Sequence, residues 1–257
     1  TINIRDTATG KGVQKAFSAS GAGIGSGGHA SGKTHITISN ASVSTLGNSV
    51  DSSGAGIGTG YGSQSDADIK ITESTVKADS GTGAAIGSGV DTKGVTGISI
   101  TDSNVTAKAS HGTGIGSGAS SSGTTTIGIS GGTVEAEGGA SSFNGGAGIG
   151  AGMHSTGDTS ITLHGGVTVT ATGGGDSSAG GGGGAGIGSG SDATGNTTIN
   201  IKDAKEVTAN GGSTAAGIGS GRGVGSSQTG SKGSTIINIE GGKITATGGG
   251  DENRSCW

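Results

Sequence analysis

One heptapeptide occurs seven times along this chain, and no other feature narrows its folding so far. It reads GAGIGSG from Gly21, GAGIGTG from Gly54, GAAIGSG from Gly83, GTGIGSG from Gly112, GAGIGAG from Gly146, GAGIGSG from Gly184 and AAGIGSG from Ala215. Such recurrence marks an array of stacked units that bury a shared core only together. Between copies lie two more apolar segments. An Ile-x-Ile or Ile-x-Leu segment starts at Ile2, Ile36, Ile69, Ile98, Ile127, Ile161, Ile199 and Ile237; a β-branched segment is centred on Val43, Val76, Val105, Val134, Val169, Val207 and Ile244.

The step from the central Ile of the heptapeptide to the next Ile-x-Ile is 12 residues in six cases, as from Ile24 to Ile36, and 19 from Ile218 to Ile237. The step from the Val to the next heptapeptide varies, from 10 residues after Val76 to 18 after Val169. Fixed spacing at two corners and free length at the third describe a coiling chain with one loop-bearing corner. With 64 Gly in 257 residues, a helical array is excluded, since each Gly costs a helix about 1 kcal/mol against Ala. Collagen is excluded because the glycines do not fall on every third residue and there is no Pro. Two Phe, one Trp, one Tyr and one Met leave only a narrow interior of Ile, Val, Leu and Ala. The expected fold is therefore all-β: a parallel β-helix, or β-solenoid, of about eight coils with three short strands each. It is expected to be right-handed by the crossover rule, with a rise of about 4.8 Å per coil. Residues 1–257 form one repeat domain, with coils starting near the eight Ile-x-Ile segments.

The net charge of -4 gives no basic field for nucleic acid. No apolar stretch approaches the roughly 20 residues of a membrane span, and TINIRDTATG lacks the apolar run of a signal peptide. Neither nucleic acid nor membrane insertion is expected. Cys256 stands alone, so no internal disulfide can form. The chain begins within an Ile-x-Ile segment, which suits either a piece of a longer array or a subunit stacking end to end through open coil edges.

Strict alternation along the heptapeptide would place Ala22, Ile24 and Ser26 inward and Gly23, Gly25 and Gly27 outward. The same parity assigns outward positions to Gly56, Gly58, Gly60, Gly87, Gly89, Gly114, Gly116, Gly118, Gly148, Gly150, Gly152, Gly186, Gly188, Gly190, Gly217, Gly219 and Gly221, with Ala85 as the one exception. One face of the rod would then be bare backbone. Gly inside a strand is unfavourable and commonly marks close approach by another surface, so these glycines are the expected interface. A second copy is favoured as the apposed partner, with polysaccharide and ice also considered. The competing reading is that tight coiling or positive φ requires Gly.

The parallel β-helix also supports polysaccharide lyases and hydrolases, which set carboxylates with Arg or Lys in a groove. Asp66 and Asp68, and Glu135 and Glu137, lie two apart, but as isolated pairs they read as solvated surface acids. The loops after Asp51, Asp79, Glu137 and Asp176 are where a charged groove would have to form. His29, His35, His111, His154 and His164 share no coil position, so no metal site is expected. No cofactor is expected either, because GxG occurs throughout without a following helix or the Walker lysine. The row Ser44, Lys77, Thr106, Glu135, Thr170, Thr208 and Thr245 faces outward; its threonines suit ice binding, while its charges interrupt the row. Sequons stand at Asn40, Asn104, Asn196 and Asn253, giving glycosylation acceptors if the chain is exported.

With its GAGIGSG-type repeats alternating with segments such as GISGGTVEAEGG and NIEGGKITATGGG, the chain resembles the glycine-rich repeats of large bacterial cell-surface, adhesin-like β-helix proteins. The resemblance covers nearly the whole chain and implies a secreted β-helix at the cell surface. The expected function is thus a non-enzymatic extracellular structural protein that assembles into a fibre or surface layer through its Gly face and open ends. The alternative is an adhesin-like module for a flat polysaccharide; ice binding and polysaccharide degradation stand behind both.

Overall fold

A computed structural model describes residues 1–6, 13–18, 20–47, 53–140, 144–175, 182–223 and 231–250. Asp51, Asp176, Asn253 and Cys256 lie outside the described residues. Alternation of β-branched and polar residues makes each Ile-x-Ile segment a strand with one buried face. These strands are β1 (Ile2–Arg5), β4 (Lys33–Ser39), β7 (Asp66–Thr72), β10 (Thr96–Thr101), β13 (Thr125–Ser130), β16 (Thr159–His164) and the first halves of β19 (Thr197–Asn210) and β21 (Thr235–Thr247). All pair in parallel with like residues in register, so that Ile36, Ile69, Ile98, Ile127, Ile161 and Ile199 form one column. Every residue of that column is buried, from 0% to 4% exposed.

The chain then turns at a corner where Asn40, Glu73, Asp102 and Asp203 adopt left-handed conformations with φ from 46° to 50°, and Gly131 and Gly165 have φ of 60° and 64°. Asn, Asp and Gly are the residues that enter this region most readily. Beyond it run β2 (Val13–Ser18), β5 (Ser42–Gly47), β8 (Thr75–Ser80), β11 (Asn104–Ala109), β14 (Thr133–Glu137) and β17 (Thr168–Thr172). Their Val column faces the Ile columns across the core. Strand β19 passes the corner unbroken, which joins the two ranks of strands into one 14-stranded sheet.

The third segment of each coil is much shorter than an alternating heptapeptide strand. It consists of the two-residue strands β3 (Ile24–Gly25), β6 (Ile57–Gly58), β9 (Ile86–Gly87), β12 (Ile115–Gly116), β15 (Ile149–Gly150), β18 (Ile187–Gly188) and β20 (Ile218–Gly219). These stack as a seven-stranded parallel sheet. The fold is the expected parallel β-helix, with seven such strands against the eight coils anticipated; β21 extends the other two ranks by one strand.

A ladder of hydroxyls lines the interior beside this third sheet. The amides of Gly89, Gly118, Gly152 and Gly221 donate to Thr59 Oγ1, Ser88 Oγ, Ser117 Oγ and Ser189 Oγ of the preceding coil, at 3.1, 2.9, 2.9 and 3.0 Å. Ser and Thr occupy these buried positions because each coil leaves amides that only a neighbouring coil can satisfy. Ala151 takes the equivalent place in one coil and offers Gly190 no such hydroxyl.

Candidate functional site

The heptapeptide glycines do not form an exposed face. Gly56, Gly58, Gly60, Gly87, Gly89, Gly114, Gly116, Gly118, Gly148, Gly150, Gly152, Gly186, Gly188, Gly190, Gly217, Gly219 and Gly221 are all buried within the chain itself. Only the first coil differs, with Gly23 and Gly25 half-buried and Gly27 exposed. The central residues Gly25, Gly58, Gly87, Gly116, Gly150, Gly188 and Gly219 have φ from 138° to 147°, so the simple alternation behind the expected flat interface fails at its midpoint. A Cβ at Gly116 would overlap the carbonyl oxygen of Gly150 in the next coil. The first member of each triplet is closed off by the end of the Val-bearing strand: a Cβ at Gly114 would lie 2.8 Å from the Glu137 amide, and one at Gly186 would lie 2.7 Å from that of Asn210. The third member rests on the preceding coil, as a Cβ at Gly190 would meet Gly152 at 2.6 Å. Coil stacking thus accounts for the glycines from Gly56 onward, as the reading in which tight coiling and positive φ demand Gly implies, while at the exposed Gly27 an added Cβ would meet no atom within 4 Å.

The acid pairs sit beside cations. Lys108 Nζ lies 2.9 Å from Glu137 Oε2 and 3.3 Å from Glu135 Oε1, and hydrogen bonds to Glu137 and then Glu135 raise its pKa. Asp68 Oδ2 is 3.4 Å from His35 Nδ1, while Asp66 Oδ1 accepts the Val95 amide at 3.0 Å. Further along, Lys243 Nζ and Glu206 Oε1 meet at 2.6 Å; that bond lowers the Glu206 pKa and raises that of Lys243. Register makes each partner legible in hindsight: Lys108 pairs opposite Glu137, and His35 opposite Asp68. Among the described residues, no group of three or more His, Cys, Asp and Glu is placed to hold a metal ion. Nor is any helix long and apolar enough to cross a membrane.

The outward row Ser44, Lys77, Thr106, Glu135, Thr170, Thr208 and Thr245 stacks in register as expected. Asn40 is exposed at its corner and Asn104 at the head of β11. Asn196 is exposed too, but its Nδ2 donates to Asp158 Oδ1 at 3.2 Å and its Oδ1 accepts the Ser234 amide at 3.1 Å.

A groove of about 540 Å³ lies on the outer face of the Ile-bearing strands, across three coils. Thr162, Asn200 and Asn238 line it in one register column, with His164, Lys202 and Glu240 alongside. Asn238 Nδ2 donates to Asn200 Oδ1 at 2.8 Å, and Lys202 Nζ is 3.7 Å from Glu240 Oε2. Gly165 of the neighbouring corner also lines it, without a side chain. Polar residues between inward Ile residues gave no sign of it, because the same pattern recurs in every coil.

The family model described as a beta helix repeat matches residues 69–90, 127–153, 199–222 and 237–251, in agreement with the coil stack seen here. No curated protein and no solved structure matches the chain.

Proposed function

We propose that this parallel β-helix repeat protein is a non-enzymatic structural element of the extracellular space or cell surface, a rod whose copies associate into a fibre or layer. The observation that carries the reading is the edge of β21. Ile237 and Ile239 stand in columns that are buried from Ile36 to Ile201, yet are themselves 42% and 50% exposed. A further coil in the same register would bury them, at about 25 cal/mol for each Å² of apolar surface covered. In this reading association uses coil edges, because the Gly stripe is buried. The non-enzymatic part is supported by the acid pairs, whose partners hold them in cross-coil ion pairs and, at Asp66, a cross-coil hydrogen bond. The likeness of the repeats to those of bacterial surface proteins supports the location.

Electron microscopy with sedimentation of the purified chain tests this. Rods longer than one chain, lengthening with concentration, are the expected result; monomers at all concentrations would overturn it.

A second reading, binding of a polysaccharide, is favoured by the polar groove around Asn200 and Asn238. Its test is retention of the chain on insoluble glycans.

A further inference from the structure

We infer that the groove along Thr162, Asn200 and Asn238 is a subsite for an acetamido-bearing polysaccharide, a glycan of N-acetylated amino sugars. This rests on the glycan-binding reading above and assigns its location and ligand chemistry. The volume of about 540 Å³ is within the range of small-ligand sites. Its central feature is the amide ladder. The single bond from Asn238 Nδ2 to Asn200 Oδ1 leaves the Asn238 carbonyl and the Asn200 NH2 to serve a ligand, one acceptor and one donor. An acetamido group presents the complementary pair, one N–H and one C=O.

Around the ladder, the Thr162 hydroxyl, the Lys202 ammonium and the Glu240 carboxylate can each bond a sugar hydroxyl, which both donates and accepts. The column runs across the strands at about 4.8 Å per coil, so a linear glycan lying along the rod meets one outward side chain per coil. A peptide is served elsewhere. Extended peptides bind by adding to a free strand edge, which here is the outer edge of β21 beside the groove and not its floor, where both edges of the Asn200 strand are paired, to β16 and to β21.

Titration calorimetry with N-acetylglucosamine tetramer and with glucose tetramer, both β-1,4-linked, tests the assignment on the whole chain. The acetylated tetramer is expected to bind, with Asn238→Ala and Asn200→Ala each weakening it about tenfold, the scale of a lost hydrogen bond. Thr126→Ala, on the same face outside the groove, should leave binding unchanged. The glucose tetramer should bind about tenfold more weakly. Circular dichroism of each variant confirms an intact fold. Equal affinity for both sugars, binding indifferent to both Asn variants, or tighter binding of an acetylated tetra-alanine amide would overturn the assignment. Retention on insoluble glycan that survives both Asn variants would remove the groove and keep the glycan-binding reading; no retention on any glycan would remove both.

Discussion

Gly116 and Gly128 lie on the successive strands β12 and β13, and replacing each with Ala separates the two explanations for the glycines of this chain. At Gly116, φ is 142°, a region that costs a residue bearing a Cβ about 1 to 3 kcal/mol. The new methyl would also overlap the Gly150 carbonyl oxygen, which accepts the Ser117 amide at 3.1 Å. Moving that carbonyl loosens this bond and its neighbour from the Ile115 amide to Gly148 O, 2.9 Å long, at about 1 kcal/mol each. The expected loss is therefore about 3 to 5 kcal/mol. At Gly128 the nearest atom to an added Cβ is Ile98 O, 4.0 Å away, and no positive φ is involved. Ala there should stabilise by about 0.5 to 1 kcal/mol, the ordinary penalty of Gly within a strand. Urea unfolding followed by circular dichroism gives the comparison, read as the difference between variants because stacked repeats need not unfold in one step. If Gly116→Ala fell within about 1 kcal/mol of the unsubstituted chain, the stacking argument for the central glycines would fail.

Ala151→Ser should restore the missing rung of the hydroxyl ladder by giving the Gly190 amide an acceptor, raising stability by about 0.5 to 1.5 kcal/mol; urea midpoints and hydrogen exchange at Gly190 check it. The Lys243 ammonium holds the Glu206 pKa below the usual carboxylate range in the folded chain, so its contribution is present above that range and is lost as pH falls through the folded value. Melting between pH 6 and pH 3 should accordingly show a smaller acid-induced loss for Lys243→Met than for the unsubstituted chain. Hydrogen bonds to Glu137 and Glu135 raise the Lys108 pKa above its ordinary value, so its contribution holds below that ordinary value and disappears as pH rises through the folded one. Lys108→Met should abolish that alkaline component, while costing no more than about 1 kcal/mol at neutral pH, as befits a surface pair.

The Ile-x-Ile and Val spacings were sufficient to read the inward columns and their register. Equal steps of β-branched residues leave one arrangement in which like meets like, and Ile69 opposite Ile98 is an instance. The heptapeptide misled because period-two alternation holds only while the backbone stays extended. The positive φ that interrupts it at Gly58 or Gly116 leaves no trace in a motif that has Gly at every second position. The burial of Gly114 and Gly186 by the ends of neighbouring strands is a tertiary effect with no local signal. The corner column Asn40, Glu73, Asp102, Gly131, Gly165 and Asp203 carries a signal of its own, since all but Glu73 are residue types that a left-handed turn selects.

The hydrogen bonds between coils point along the rod, so an axial pull stretches them directly, while bending shares the load among three sides. Each coil released would free 29 to 38 residues, the separation of partners such as Ile69 and Ile98 or Ile161 and Ile199, paying out roughly 100 to 135 Å of chain. Under tension such a rod would lengthen by peeling from an end, one coil at a time, at a force set by a single coil interface and nearly independent of the number of coils in the stack.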